Sequence, residues 1–206
     1  MNGGTTSRTI APRCECLSKI VNKKRRRTEI PVISTILVKR APGDIRRGLL
    51  DAGDRVIPCA LGRGGIRALK REGDGATPAA SMRITGGYFR ADRLLRPPAR
   101  YPLRAIRSDD GWCDAPDNPN YNRHVRLPFS GSHETMMRDD RLYDICLVLD
   151  WNRPPKGRSR NRGSAIFLHI AKAGFPPTEG CIAVEPEAMR WLLPRIGPET
   201  IVRIDR

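Results

Sequence analysis

A histidine and a cysteine stand at the rims of two apolar runs in the stretch G-S-A-I-F-L-H-I-A-K-A-G-F-P-P-T-E-G-C-I-A-V, from Gly163 to Val184. Ala165 to Leu168 reads as a buried strand that ends on His169. A short loop with Gly174, Pro176 and Pro177 follows, and Thr178-Glu179-Gly180-Cys181 opens the second run, so one run can fold back onto the other. A thiol within hydrogen-bond reach of an imidazole is a nucleophile with its base. Only the thiolate attacks, and a free thiol with a pKa of about 8.5 is mostly protonated at neutral pH. Gly180 lacks a Cβ, which permits a tight turn and a close approach of substrate to the backbone. The amides of Gly180 and Cys181 are then placed to donate to a developing oxyanion, while Thr178 and Glu179 line the approach. A cysteine among apolar residues also serves as a small core hydrophobe, and a histidine as a structural hydrogen-bonder. The spacing alone leaves both readings open.

Two blocks carry a resemblance. His169 and Gly180-Cys181-Ile182 are similar to the strand-end histidine and the S-x-G-C-[IV]-R motif of the L,D-transpeptidase (YkuD-like) family, and Gly73-Asp74-Gly75-Ala76-Thr77-Pro78 resembles its G-x-x-T-P-x-G-x-F segment. The similarity extends over most of Ile30 to Arg206. The sequence departs from the family pattern at Thr178 for serine, Ala183 for arginine, Ile170 for glycine, and Ala80 and Met82 for glycine and phenylalanine. The resemblance implies a YkuD-like β-sandwich or barrel and acyl transfer on peptidoglycan stem peptides. Cys181 would attack a diaminopimelate carbonyl of a donor tetrapeptide, His169 would carry the proton, and an acceptor amine or water would take the acyl group. It also implies a periplasmic or cell-envelope location, and it requires neither a metal nor an organic cofactor.

The elements that must position these residues are mostly strands. Pro31 to Val38, Gly48 to Leu50 and Arg55 to Leu61 read as a meander. Gly62-Arg63-Gly64-Gly65 reads as a turn beside the site, since no Lys-Ser/Thr pair closes it as a phosphate loop. Ser81 to Phe89 reads as another strand. Tyr143 to Trp151 is nearly continuous apolar and reads as a central strand, paired antiparallel with the His169 strand, with Asn152 at its end as a further candidate substrate contact. Pro186, Glu187 and the apolar spacing of Ala188, Met189, Leu192, Leu193 and Ile196 predict one short helix, stopped by Pro194 and Gly197-Pro198 and followed by a closing strand from Thr200 to Ile204. The fold class expected is therefore β-dominated α+β, a single domain over residues 30–206 with one helix before the last strand.

Residues 90–140 read as a long, proline-rich, lid-like insertion. It concentrates Trp112, Asp114, Tyr121, Asn122, Arg123, His124, His133 and Glu134, of which Tyr121 is taken as a candidate substrate contact. His133 and Glu134 are neighbours and cannot face one site on a strand.

The formal net charge is +16, from 38 Lys and Arg against 22 Asp and Glu. Residues 1–30 hold eight basic and two acidic side chains, including the run Lys23 to Arg27, and +10 resides in the remainder. Residues 1–29 read as a polar, disordered tail. A basic module binding nucleic acid or wall polymer is the rival to an enzyme, and hydrolysis on the same scaffold is the rival within it. Six cysteines, at 14, 16, 59, 113, 146 and 181, form no C-x-x-C and read as free thiols. His124, His133 and His169 lack metal-ligand spacing with them. No apolar run reaches the ~18–20 residues of a membrane-spanning helix, and no secretory h-region is visible at the N-terminus.

Overall fold

The computed structural model describes residues 1–4, 30–155 and 157–206. The basic tail expected over 1–29, with Cys14 and Cys16, lies outside the described residues apart from 1–4. β1 (Ile33–Arg40), β2 (Arg47–Asp51) and β3 (Val56–Ala60) form the expected antiparallel meander. β4 (Ile66–Arg67) and β5 (Thr77–Pro78) make a small parallel pair, and β6 (Ser81–Phe89) follows as read from the sequence. After β7 (Leu103–Ala105), β8 (Asp110–Cys113), β9 (Arg123–Arg126) and β10 (His133–Thr135) come β11 (Ile145–Leu149), β12 (Phe167–Ile170), β13 (Ile182–Val184), α1 (Pro186–Leu192) and β14 (Ile196–Ile204).

One sheet runs β11-β12-β13-β3-β2-β1-β14-β6-β7, and a further β11–β6 pairing closes it into a barrel. Strand alternation then sorts side chains between two cores. Leu147, Leu149, Leu168, Ile170, Ile182 and Val184 point inward to the barrel core with Ile36, Leu50, Met82 and Val202. Burying each such aliphatic side chain fully contributes about 1.5–3 kcal/mol. Their neighbours Cys146, Val148, Phe167 and Cys181 point outward and form a second core with Trp112, Met136 and Tyr143. β11 is buried at all five positions because both its faces are covered.

The outer cover comes from the region expected to be a lid-like loop. It contains a three-stranded antiparallel sheet, β10-β8-β9, whose strands are only three or four residues long. Trp112 on β8 meets Phe167 edge-on at 5.2 Å between ring centroids. This segment is therefore a packed layer over β11 and β12, and short strands among prolines gave no period long enough to reveal it.

Two further expectations change. The His169 strand does not end on the histidine, since Ile170 continues it. More consequentially, β12 and β13 are parallel neighbours, paired Leu168 with Ile182 and His169 with Ala183, so the expected simple fold-back does not occur. The connection 171–181 instead returns along the barrel, as a parallel pair requires. α1 begins at Pro186 and buries Ala188, Met189 and Leu192 as its spacing predicted. β14 begins earlier than Thr200 and takes in Ile196, which the apolar spacing assigned to the helix, because a register irregularity between Ile33 and Thr35 accommodates Gly197-Pro198. Buried Thr200 secures that irregularity by accepting from Gly197 N–H at 2.9 Å and donating to Ile33 carbonyl at 2.6 Å.

Candidate active site

Cys181 is the residue just before β13, and the β12–β13 register sets it beside Phe167. Alternation from the pairs Leu168–Ile182 and His169–Ala183 puts Phe167, His169, Cys181 and Ala183 on the outer face. His169 and Cys181 are thus diagonal neighbours on adjacent strands, and both line one cavity of about 320 Å³. Thr178 and Glu179 line the same cavity. A groove of about 380 Å³ between Leu94, Pro97 and Leu193 holds no nucleophile and is a separate feature.

The thiol is tightly held. Its Sγ accepts from Phe167 N–H at 3.3 Å and donates to the Ala165 carbonyl at 3.1 Å. No hydrogen bond joins it to the His169 ring, so the direct contact expected from the sequence is replaced by one to the backbone. Burial pushes the Cys181 thiol up to about 12. His169 is 3 % exposed, and burial lowers it to about 4. Both groups are therefore neutral around pH 7. His169 Nδ1 lies 2.8 Å from the Ile170 carbonyl. A carbonyl only accepts, so Nδ1 carries the proton and Nε2 is left as the basic nitrogen. The Tyr143 ring packs edge-on against the imidazole at 5.4 Å and fixes its plane.

The turn before Cys181 is keyed to the Thr77-Pro78 block. Gly180 has φ +132, and a Cβ there would lie 2.7 Å from the Ala76 carbonyl oxygen. Thr178 Oγ1 donates to the Cys181 carbonyl at 2.7 Å and accepts from Gly180 N–H at 3.2 Å. The Gly180 amide is thus already committed, and the expectation that it serves an oxyanion gives way to a conformational role. Thr178 also bridges to the glycine-rich turn, donating its N–H to Leu61 and accepting from Arg63 N–H at 2.8 Å. Glu179 is exposed and paired with Arg63 at 2.9 Å.

Tyr121 and Asn152 are not brought to the cavity lining. Tyr121 is buried behind it, with its hydroxyl donating to Glu72 Oε2 at 2.5 Å. Asn152, at φ +49, holds the 153–163 loop through Ser159 and Gly163. The residue that sequence reasoning left unassigned is Asn122. It is 2 % exposed, and its Oδ1 accepts from Trp112 Nε1 at 3.0 Å and Ala165 N–H at 3.1 Å. Its Nδ2 donates to the Trp151 and Asn152 carbonyls. Asn122 therefore fixes Ala165, itself strained at φ +50, whose carbonyl receives the thiol. No local pattern announces such a hub. Glu134, Arg138 and Tyr143 complete one wall: Glu134 accepts from Arg138 at 2.5 Å and from the Tyr143 hydroxyl at 3.2 Å. Among the described residues, no group of three or more His, Cys, Asp or Glu is placed to hold a metal ion, and Cys59, Cys113, Cys146 and Cys181 are buried free thiols.

A family model described as the L,D-transpeptidase catalytic domain, YkuD, matches residues 37–204. No curated protein matches the sequence. A crystal structure of Mycobacterium tuberculosis L,D-transpeptidase 1 is similar at 11% identity and a TM-score of 0.37, covering 83% of this chain. The chain spans 59% of that protein's length. The family match takes in every strand from within β1 to β14, the Thr77-Pro78 block, His169 and Cys181. This chain therefore belongs to the L,D-transpeptidase (YkuD) catalytic-domain family.

Proposed function

We propose that the protein is a cysteine-dependent L,D-transpeptidase that acts on peptidoglycan stem peptides through an acyl-enzyme on Cys181. The observation that carries this reading is the outward projection of Cys181 and His169 from adjacent strands into one cavity. The donor carbonyl enters that cavity, and the thiol leaves the Ala165 carbonyl to attack it. As the S–C bond forms, the thiol proton passes to His169 Nε2, and the Cys181 N–H receives the developing oxyanion. A donor of that kind typically supplies about 3–4 kcal/mol of transition-state stabilisation. The intermediate collapses with rupture of the C–N bond, and His169 returns the proton to the departing amine, the terminal D-alanine. An acceptor amine, deprotonated by the same imidazole, then releases the enzyme. Because burial keeps both partners neutral, the proton moves during attack and no standing thiolate precedes it.

Incubation with disaccharide-tetrapeptide followed by mass analysis tests the reading. A cross-linked dimer is expected; tripeptide alone marks a hydrolase, and no product removes the enzymatic account. Intact-mass detection of a carbapenem adduct, present in the wild type and lost in Cys181→Ala, checks the nucleophile.

A further inference from the structure

The cavity beside Cys181 is acidic in a strongly basic chain. Glu72, Asp114, Glu134 and Glu179 line it, against Arg138 and Lys172. Two of the four carboxylates are already matched, Glu134 to Arg138 and Glu179 to Arg63. Arg138 and Lys172 are in turn both engaged by Asp140. Glu72 and Asp114 have no ion-pair partner among the described residues. Among the described residues, the Glu72 carboxylate receives only the Tyr121 hydroxyl.

A second observation points to what they await. Ser164 is 7 % exposed and lines this cavity; its Oγ lies beside the Tyr121 hydroxyl but makes no well-formed hydrogen bond, and Asp114 Oδ1 is buried and unpartnered. Buried polar atoms are almost always matched, and unmatched ones that border a cavity are met by water or by a bound polar group. The three acceptors Glu72, Asp114 and Ser164 ask for a compact cation with several N–H donors, and a primary ammonium has three. Ser164 is adjacent to Ala165, whose carbonyl receives the Cys181 thiol, so the cation sits next to the reacting centre.

We infer that Glu72, Asp114 and Ser164 form a subsite for a primary ammonium on the side chain of the donor residue that Cys181 attacks. The inference rests on the proposed acyl transfer and names which substrate group steers it. The bound group is the donor's ammonium and not the acceptor amine, because opposed carboxylates favour the charged form, and a protonated amine has no lone pair to attack an acyl-enzyme. Tyr121 acts behind the subsite as a positioning residue: it orients the Glu72 carboxylate without touching substrate.

Binding to the full-length Cys181→Ala protein tests this apart from catalysis. The probes are two tetrapeptides that differ only in the third residue, lysine or Nε-acetyllysine, titrated by calorimetry at low salt. The lysine peptide is expected to bind at least tenfold more tightly. Adding Asp114→Asn should reduce that ratio below threefold, and Ser164→Ala, a milder change, should reduce it partially. Equal affinities for the two peptides, no binding of either, or a preference unchanged in Asp114→Asn overturns the subsite. Selective binding of the lysine peptide to a protein whose wild type never forms an acyl-enzyme leaves the subsite standing and removes the proposed reaction.

Discussion

At the residue scale, the electrostatics of the Cys181–His169 pair run opposite to those of an ion-paired cysteine nucleophile. Burial drives the thiol up to about 12 and the imidazole down to about 4, so the neutral pair is the resting state. Alkylation of Cys181 by iodoacetamide at pH 7 is expected to be at least ~10²-fold slower than for a free cysteine, rising log-linearly through pH 10. A plateau below pH 7 would contradict the neutral pair. The acid limb of kcat/KM should lie near pH 4, where His169 gains its proton. The same shifts bear on stability. Below about pH 6.5 the unfolded chain protonates this histidine while the folded chain does not, so stability falls between pH 6.5 and 4 by up to about 3 kcal/mol. On the alkaline side the unfolded thiol ionises first, and stability falls again above about pH 9. Denaturant midpoints for wild type and His169→Gln, measured from pH 7 to 4, check the first limb: the variant should lose its share of the acid slope.

At the scale of elements, the site depends on loops locked to one another by backbone contacts that only glycine allows. A Cβ at Gly62 would lie 2.2 Å from the Gly75 carbonyl oxygen, and one at Gly180 would meet the Ala76 carbonyl at 2.7 Å. Neither partner is the end of a flexible side chain, so neither can step aside. Gly180→Ala is expected to cost about 1–3 kcal/mol for its φ of +132 alone, and to slow acylation more than the stability loss explains. Thermal melts together with carbapenem acylation rates separate the two effects. Asn122 ties β8, the end of β11 and the approach to β12 together through four hydrogen bonds at a buried position. Asn122→Ala should destabilise by about 3 kcal/mol, since it strands buried donors and acceptors together. Asn122→Asp keeps acceptors for Trp112 and Ala165 and should retain more of the acylation rate. A denaturant midpoint within error of wild type for Asn122→Ala would remove the hub. These cases also mark what the sequence could and could not disclose. β11 was readable because burial on both faces leaves a continuous apolar run, and α1 because proline and a three-to-four spacing survive in any context. The parallel β12–β13 pairing was not, since no residue within 171–181 encodes which strand edge the chain returns to. The roles of Asn122 and of Ala165 arise only when distant segments meet.

For the whole molecule, two fields of opposite sign act at different ranges. The chain carries +16, and +10 of it lies beyond residue 30, yet the cavity that holds Cys181 has four carboxylates against two cations. Exposed charges separated by more than about 8–10 Å are largely screened at physiological salt, while buried groups are screened far less. If both fields are used, the outer one is expected to govern capture of an anionic polymer and the inner one which peptide group is accepted. The alternative of a purely basic binding module makes a different prediction, because there the outer field is the entire function. Raising ionic strength from 20 to 200 mM should weaken retention on an anionic polymer at least tenfold, as counterion release requires. Over the same range, the second-order acylation rate for a zwitterionic carbapenem of zero net charge should change less than threefold, since Cys181 is buried among its own backbone partners and does not draw on the outer field. If both quantities fall together, surface charge controls access to the nucleophile and the separation into two fields is wrong. If retention is salt-insensitive, the excess of arginine and lysine on the surface serves no polyanion at all.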